Sequence, residues 1–470
     1  MKDVYDCIII GAGVSGSAIA YNLSRYRGSF LVLEKENDLC EGTSKANSAI
    51  VHAGFDAEPG TLMATLNVKG SQMMEELANN LDIPYNRNGA LVVAKNKNDI
   101  RKLEELLERG KKNGVKDLRI IETEEIRKIE KNINDDVCLA LYAPTSAIIC
   151  PFTLNYALAE VAYNNGVKFA FNSKVINIIK ENNIFIISLE NGKTYKSKVL
   201  INAAGVYADD IHNMLSSDKM TIVPRKGEYM VLDRSVISFV KHTVFPLPTA
   251  MGKGILVTPT IHGNVLLGPT ATDIEDKNNT ETTREGQDTI KRKCNSSMKD
   301  VPLSKVITSF AGIRAHDVRH KFTIEENSEV RGFIDVAGIE SPGLTSAPAI
   351  GEMVAMIVKN ILPLKEHHRF KSTRKGILNP RELDNLSYKR LVRFRPDYAN
   401  VICRCHKITK GEILDSINRP LGATTLQGIK KRTTAMMGIC QGGFCTFEIM
   451  NILNEALLKK GKSLSNGRIS

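Results

Sequence analysis

A glycine fingerprint close to the start of the chain constrains the fold more than any other feature. Residues 11–16 are Gly-Ala-Gly-Val-Ser-Gly, between an apolar run and a helix-forming segment, and a second apolar run follows at residues 30–33. This order predicts a βαβ unit that binds a dinucleotide. The first glycine permits a tight turn, the second lets a pyrophosphate approach the backbone, and the third brings helix and strand close together. A purely structural glycine-rich turn is the alternative.

An acidic residue strengthens this prediction. Glu34 ends the second strand, eighteen residues after Gly16, where a carboxylate can accept hydrogen bonds from a ribose. The N-terminus of the helix would stabilise the charge of the phosphates. The fingerprint alone does not distinguish NAD from FAD. The residues that we expect to bind the cofactor here are Gly11, Gly13, Val14, Ser15, Gly16 and Glu34.

The length of 470 residues predicts two or three domains. The first residues, which include Asp3 and Asp6, do not resemble a secretory signal, and no apolar run reaches the roughly 18 residues that span a bilayer. We therefore expect a cytoplasmic protein, which would contact a membrane only peripherally or through a partner. In a reducing compartment, clustered cysteines are expected to be ligands rather than disulfides. The scattered cysteines are expected to pack in the core: Cys7, Cys40, Cys138, Cys150 and Cys294.

Strand-like or glycine-rich segments return at residues 198–205 and 338–351, which indicates one sheet assembled from distant parts of the chain. Between them lie segments with charged helices or with alternating apolar residues and prolines, which predict a separate antiparallel substrate lobe. The expected fold class is α/β. The predicted parts are a discontinuous Rossmann-type lobe in 1–85, 146–220 and 307–365, a substrate lobe in 86–145 and 221–306, a basic linker in 366–399, a small helical domain in 400–455 and a tail in 456–470.

Four cysteines are grouped near the end of the chain. Cys403 and Cys405 are separated by one residue, and Cys440 and Cys445 by four. A [2Fe-2S] cluster needs four thiolates, two for each iron, and this grouping favours such a cluster. Structural zinc is the competing interpretation, but zinc knuckles usually have two to four residues between the cysteines in both halves. A tail without metal is the third interpretation.

The segment Lys365–Lys410 is strongly basic, with 13 Lys or Arg against 4 Asp or Glu, a net charge of +9. Nucleic-acid binding is not expected, because the segment lacks interleaved stacking aromatic residues and a recognisable nucleic-acid module. A solvated linker explains the charge simply. Alternatively, the basic residues offset the negative charge of the cluster and dock an acidic redox partner.

Further motifs resemble those of the D-amino-acid oxidase-like flavoproteins. Residues 42–44 (Gly-Thr-Ser), 47–48 (Asn-Ser) and 52–54 (His-Ala-Gly) follow the second strand as they do in that superfamily. Later motifs with the same resemblance are found at 202–205, 224–227, 310–314 and 338–345. The resemblance covers residues 1–365, implies FAD as the cofactor, and is nearest to the glycerol-3-phosphate dehydrogenase and L-2-hydroxyglutarate oxidase branch. Residues 400–455 are similar to the bacterioferritin-associated-ferredoxin-like [2Fe-2S] domain, which implies Cys403, Cys405, Cys440 and Cys445 as cluster ligands.

The resemblance also implies contacts with the flavin outside the glycine fingerprint. These residues are Thr43, Ser44, Asn47, Ser48, Ala204, Gly205, Gly312, Arg314, Gly343, Leu344 and Thr345.

Catalysis on this fold requires a base and an anchor for an anionic substrate. His52 is the first candidate for the base, because the corresponding histidine of the family lies near the flavin and imidazole accepts a proton near neutrality. The alternative is a histidine that only hydrogen-bonds the flavin or packs. His316 is the second candidate. Arg314 is the expected anchor, since its planar fork suits phosphate or carboxylate, with Arg225 and Lys226 as helpers, although a surface turn explains these two equally well.

The resemblance and the cysteine tail together imply a dehydrogenase that oxidises sn-glycerol 3-phosphate and passes electrons through the cluster to a partner, which we expect to be a redox flavoprotein subunit. Many glycerol-3-phosphate dehydrogenases have Gly-Gly-Lys where this chain has Glu340-Ser341-Pro342-Gly343-Leu344. The missing lysine leaves a second substrate class open, L-2-hydroxyglutarate or another 2-hydroxy or amino acid. A third hypothesis is an electron-transfer subunit that turns over nothing.

Overall fold

The computed structural model describes residues 4–96, 99–248 and 254–461. They belong to two compact units, Met1–Ser372 and Thr373–Ser470. Strands β1–β24 and helices α1–α12 are numbered along the chain. None of the helices in the described ranges combines the length and the hydropathy that crossing a bilayer requires.

The first unit contains the predicted βαβ opening in a sheet of eight described strands. Strand β1 pairs in parallel with β3 on one side and with β13 on the other, and β13 pairs in parallel with β21. The central strands are continuous apolar runs because both faces of the sheet are covered. The strands are β1 Tyr5–Ile10, β3 Phe30–Leu33, β10 Lys168–Ala170, β11 Val175–Glu181, β12 Ile184–Leu189, β13 Thr194–Asn202, β20 Thr323–Glu326 and β21 Phe333–Ala337.

A second sheet of nine described strands is antiparallel except where β6 pairs in parallel with β15. Its longest pairing joins β14 to β19 over their whole length. The strands are β6 Ala90–Ala94, β7 Arg119–Glu122, β8 Leu139–Ala143, β14 Ile222–Leu232, β15 Thr243–Pro246, β16 Leu256–Pro259, β17 Val265–Gly268, β18 Thr272–Asp273 and β19 Val306–Asp317. The predicted α/β fold with an antiparallel second lobe is confirmed.

Short strands and the helices complete the first unit. The short strands are β2 Tyr26–Arg27, which pairs with β22 Lys365–Glu366, and β4 Ile50–Val51 and β5 Tyr85–Asn86, which both pair with β9 Ala147–Ile149. The helices are α1 Val14–Leu23, α2 Leu62–Leu81, α3 Ile100–Lys112, α4 Thr123–Ile129, α5 Pro151–Asn164, α6 Ala208–His212, α7 Arg284–Cys294 and α8 Gly343–Ile361.

Helices α1, α2, α5 and α8 share one apolar core, which includes Val14, Met74, Leu154 and Ala347. Close approach of α8 to α1 depends on Gly351, because a Cβ there would lie 2.4 Å from the carbonyl oxygen of Ala18. This packing fixes the N-termini of α1 and α8 at the edge where the site is found.

The second unit has its own core of apolar side chains from residues 402–457. Its elements are α9 Asn385–Phe394, the hairpin of β23 Val401–Cys403 and β24 Ile408–Thr409, α10 Lys410–Asn418, α11 Leu426–Thr433 and α12 Thr446–Lys459. Helix α9 lies within the segment predicted as a linker. The Asp384 side chain caps it by accepting from two backbone N–H groups, a local signal that the basic charge and the prolines of the segment obscured.

Candidate active site and cluster site

The glycine turn after β1 has the shape that the fingerprint predicts. Gly11 has φ +101°, and a Cβ there would lie 2.4 Å from Ala203 O, while one at Gly16 would lie 2.0 Å from Gly11 O. In contrast, a Cβ at Gly205 would meet no atom within 4 Å. The turn therefore packs tightly against the sheet, whereas the space beside Gly205 is free of protein atoms from the described ranges. The first turn of α1 carries no acidic residue, so its N–H groups can receive a phosphate.

Glu34 is 8% exposed and organises this turn. Its carboxylate accepts from the N–H groups of Ala12 (2.7 Å) and Glu36 (3.0 Å). Burial raises the pKa of Glu34 above its usual value, although the two N–H groups oppose the shift. Ser44 Oγ accepts from the Val14 N–H at 2.9 Å, which brings the segment 43–48 to the N-terminus of α1.

The segment 43–48 also packs on β19. Thr43 Oγ1 donates to Ile313 O at 2.5 Å, and a Cβ at Gly312 would lie 2.1 Å from Ala46 O. Asn47 turns back on its own segment by donating to Ser44 O, and Ser48 Oγ lies 3.2 Å from Tyr229 Oη. The segment 43–48, the N-terminus of α1 and Gly312 on β19 therefore lie together, although they are distant in sequence.

His52 follows β4 and lines a small cleft that opens to solvent, together with Met63 and Pro342. Thr345 Oγ1, in the first turn of α8, accepts from the His52 N–H at 3.0 Å. Asn67 lines the same cleft and donates to His52 O, but its Oδ1 atom is buried and has no hydrogen-bond partner in the described part of the chain. A buried acceptor without a partner fits a ligand that brings a donor. The cleft therefore offers an unused acceptor beside His52.

Two adjacent residues hold the two candidate histidines. Ser341 Oγ lies 3.3 Å from His52 Nε2, and Glu340 Oε1 lies 2.8 Å from His316 Nδ1. His316 is 4% exposed, and its ring is in edge contact with that of His320, with the centroids 4.4 Å apart. Sequence analysis treated Glu340 and Ser341 only as a departure from a family motif. Their roles depend on contacts across 24 and 289 positions of the chain, which local patterns do not reveal.

The structure brings Arg314 and Arg225 together and separates Lys226 from them. Arg225 and Arg314 are register partners on β14 and β19, so they lie side by side on one face. Arg314 donates to Thr270 O, whereas Arg225 makes a bidentate ion pair with Asp273. Lys226 lies on the opposite face, 4% exposed, and donates to Glu281 O. Arg314 is therefore the more available anchor for an anion.

Cys150 was predicted to be a packing residue, but it has specific partners. It is the N-cap of α5, where its sulfur accepts from the N–H and hydroxyl groups of Thr153 and lies 3.2 Å from His262 Nε2. Burial raises the pKa of the Cys150 thiol, but His262 and Thr153 outweigh it and lower the pKa overall. For the same reason Cys150 raises the pKa of His262 against the effect of burial.

The four clustered cysteines meet in the second unit as two pairs. Cys405 Sγ lies 3.5 Å from Cys440 Sγ, and Cys403 is hydrogen-bonded to Cys445. Gly438 allows the loop before Cys440 to close on Cys405, because a Cβ there would lie 2.4 Å from Cys405 Cβ. Two pairs of sulfurs match two irons with two thiolates each, which is the ligand set of a [2Fe-2S] cluster.

Backbone amides support thiolate charge at this site. Burial raises the pKa of Cys440, but Cys405 and the N–H groups of Gly442, Phe444 and Gly443 lower it overall. Burial also raises the pKa of Cys445 to about 12. A metal cluster that replaces the thiol protons would remove the burial penalty of the second pair.

Comparisons with known proteins match two separate parts of the chain, one with the glycine turn and one with the four clustered cysteines. Residues 6–357 match the family described as FAD dependent oxidoreductase. Residues 401–455 match the family described as BFD-like [2Fe-2S] binding domain.

Three individual proteins show how far the similarity extends. The glycerol 3-phosphate dehydrogenase of Caloramator mitchellensis is 45% identical over 97% of this chain and 95% of its own length. The structure of the L-alpha-glycerophosphate oxidase of Mycoplasma pneumoniae with FAD bound superposes with a TM-score of 0.75 and 31% identity, over 79% of this chain and 98% of its own. The mitochondrial L-2-hydroxyglutarate dehydrogenase of Mus musculus is 33% identical over 56% of this chain and 60% of its own.

Proposed function

This chain belongs to the family of FAD dependent oxidoreductases and carries a BFD-like [2Fe-2S] binding domain, and we propose that it oxidises sn-glycerol 3-phosphate to dihydroxyacetone phosphate and passes the electrons to a redox partner. The predicted cofactors, FAD and a [2Fe-2S] cluster, are confirmed by these two matches. The observation that carries the substrate is the 45% identity with a glycerol 3-phosphate dehydrogenase over 97% of this chain, which includes both units.

Oxidation of a secondary alcohol removes a hydride from carbon and a proton from the hydroxyl group. When bound, FAD supplies the hydride acceptor and the cluster a carrier of single electrons. The chain supplies the base, and we assign this role to His52, which lines the cleft. The Ser341 hydroxyl, 3.3 Å from His52 Nε2, marks a position from which a substrate hydroxyl would transfer its proton.

His316 has a different role in this proposal. Its Nδ1 atom is engaged by the Glu340 carboxylate and the residue is buried. A carboxylate in this position fixes the orientation of an imidazole. His316 and Glu340 thus form a positioning pair beside the cleft, and Glu340 continues directly into Ser341.

The phosphate of the substrate needs a fixed cation. Arg314 uses one N–H group on Thr270 O, and its planar fork can offer others to two phosphate oxygens. Arg225 lies beside it but is paired with Asp273. We therefore propose Arg314 as the anchor and Arg225 as a helper that neutralises the Asp273 carboxylate beside it.

The second unit supports a dehydrogenase rather than an oxidase. The structural match with the glycerophosphate oxidase of Mycoplasma pneumoniae covers 98% of that chain but only 79% of this one. This chain additionally contains the [2Fe-2S] domain at residues 401–455, which direct use of oxygen would not require. We propose that the acceptor is a separate redox flavoprotein subunit in the cytoplasm, where thiolate ligands remain reduced.

The proposal is tested by the visible spectrum of the purified, anaerobic protein before and after addition of sn-glycerol 3-phosphate. We expect flavin bands over a broad iron–sulfur background, and bleaching of the flavin by the substrate. A Cys403→Ser variant should lose the iron–sulfur absorbance but retain FAD and its bleaching. Full turnover of the wild type with oxygen alone would contradict the role of the cluster.

A second candidate substrate is tested by the same anaerobic absorbance measurement. L-2-Hydroxyglutarate is the comparison, because 56% of this chain aligns with a dehydrogenase named for it. Bleaching by L-2-hydroxyglutarate and not by glycerol 3-phosphate would overturn the assignment of substrate. No bleaching by any hydroxy or amino acid would favour a subunit that only transfers electrons.

A further inference from the structure

Three large apolar side chains next to the cluster cysteines are turned to solvent. Ile439 precedes Cys440 and is 67% exposed, Phe444 precedes Cys445 and is 89% exposed, and Phe447 in the first turn of α12 is 71% exposed. The opposite face of α12 carries the core residues Ile449 and Leu453. Exposed apolar side chains that are grouped rather than scattered mark interaction sites.

The same surface is where the cluster site comes closest to solvent. Cys403 and Cys445 are buried, whereas Cys405 is exposed and Cys440 is partly exposed. The pair Cys405–Cys440 is therefore the outward side of the site. Electrons that leave the cluster have the shortest path to another protein across this side.

Charge distinguishes the second unit from the first. Residues 373–470 contain 18 Lys or Arg and 7 Asp or Glu, a net charge of +11, of a total of +12 for the whole chain. Two of these cations, Arg404 and Lys407, flank Cys405 and are exposed. The first unit, with a net charge near zero, does not complement this charge. An acidic partner protein would complement the positive charge of the second unit.

We propose that Ile439, Phe444 and Phe447, together with the flanking cations Arg404 and Lys407, form the docking surface for an acidic redox protein that takes one electron at a time from the cluster. This inference rests on the proposed electron-transfer function and adds the surface and the charge of the partner. The apolar side chains supply the dry centre of the interface, and the cations supply orientation and fast encounter.

The test uses an acidic haem protein, cytochrome b5, as the probe, and the full-length protein with both cofactors. Binding of oxidised cytochrome b5 is measured by calorimetry at low and moderate salt. Separately, the protein is reduced with dithionite, freed of excess reagent under argon and mixed with cytochrome b5 in a stopped-flow cell. Neither measurement needs a substrate, so both remain valid if glycerol 3-phosphate is not oxidised.

Matched variants separate the apolar and the charged parts. The double variant Phe444→Ser/Phe447→Ser should weaken binding and slow haem reduction at least fivefold. Leu458→Ser is its control, because Leu458 is 63% exposed on the same helix, about 16 Å further along. Arg404→Glu/Lys407→Glu should lower binding at low salt and flatten its salt dependence, whereas Lys459→Glu should do so much less.

Three outcomes would overturn the proposal. The first is equal binding of cytochrome b5 by the wild type and the apolar variant. The second is a variant in which flavin-to-cluster transfer is lost while haem reduction from a prereduced cluster is retained, since the surface would then face the flavin. The third is binding of anionic phosphatidylserine vesicles, but not of cytochrome b5, through the same residues. Retained iron–sulfur absorbance in each variant shows that the unit is folded.

Discussion

The sulfur of Cys150 lies 3.2 Å from His262 Nε2, although the two residues are 112 positions apart in the chain. The pair sits at the N-terminus of α5, where a negative charge is favoured by the helix dipole. His262 and Thr153 thus lower the pKa of the Cys150 thiol although burial in the flavin-binding unit raises it. Cys294 shows the opposite shift: it has no imidazole partner among the described residues, its sulfur donates to Lys291 O, and burial raises its pKa to about 11.

Alkylation tests this difference. At pH 7 we expect iodoacetamide to modify Cys150 faster than Cys294, since the two residues are 1% and 0% exposed but their pKa values are shifted in opposite directions. His262→Gln should slow the reaction of Cys150 toward the rate of Cys294. Peptide mass spectrometry gives the two rates in one sample. Equal rates in the wild type would show that Cys150 is an ordinary buried thiol.

Loss of the base should affect the reduction of the flavin and not its binding. His52→Gln is expected to slow anaerobic flavin reduction by about 10²- to 10⁴-fold, the usual contribution of a general base. Ser341→Ala removes only the hydroxyl next to His52 Nε2 and should slow it by about tenfold or less. Stopped-flow absorbance measures both. A His52→Gln rate close to that of the wild type would move the role of base to His316.

The two arginines on adjacent strands should differ in their effect on substrate binding. Arg314→Ala is expected to weaken binding of glycerol 3-phosphate about 10- to 100-fold, because a charged hydrogen bond contributes about 1.5–3 kcal/mol. Arg225→Ala should have a smaller effect, since this guanidinium is already paired with Asp273. Titration of the oxidised enzyme with the unreactive analogue glycerol 2-phosphate gives the affinities. The reverse order would make Arg225 the anchor.

Stability of the flavin-binding unit should depend on His212 in a specific pH range. His212 Nδ1 lies 2.8 Å from the Asp335 carboxylate, and this hydrogen bond is the main cause of its raised pKa. The contribution is fully present below the unfolded value of about 6.5 and is lost as pH rises through the folded pKa. Hence the stability difference between the wild type and His212→Gln should be greatest below pH 6.5 and shrink above it.

Thermal release of FAD, followed by its fluorescence from pH 5.5 to 8.5, measures this difference. His368→Gln is the control, because His368 is exposed. A difference that is constant across the range would mean that His212 contributes as a neutral residue.

Local features of the sequence predicted a dinucleotide-binding fold and a set of cysteine ligands, whereas the choice of FAD depended on the resemblance of further motifs to a flavoprotein family. The turn at Gly11 is such a feature, since a positive φ and close approach to Ala203 O admit no side chain. The cysteine spacing is another, because four thiolates in two groups favour a [2Fe-2S] cluster over structural zinc. Both signals are spacings of glycine or cysteine that can be read from the chain without knowing which distant residues they contact.

The remaining parts of the site depend on partners that local rules do not reveal. Nothing around Cys150 indicates that His262 will lie beside its sulfur, and nothing around His316 indicates Glu340. The state of Arg225 depends on Asp273 in a different strand. Strand register and helix packing decide such contacts. Cys150, His316 and Arg225 could therefore be singled out in the sequence, but their hydrogen-bond and ion-pair partners could not.

The peptide bond that joins Glu340 to Ser341 links the two imidazoles of the site mechanically. Glu340 contacts His316, and Ser341 contacts His52. Because Glu340 and Ser341 share one peptide plane, a rotation of that plane moves both residues. An insertion or deletion of one residue between Ile339 and Gly343 would therefore disturb the contacts of both histidines at once. Natural variation in this loop should proceed by substitution at constant length, and an engineer who wishes to change the substrate should keep the length of the loop as well.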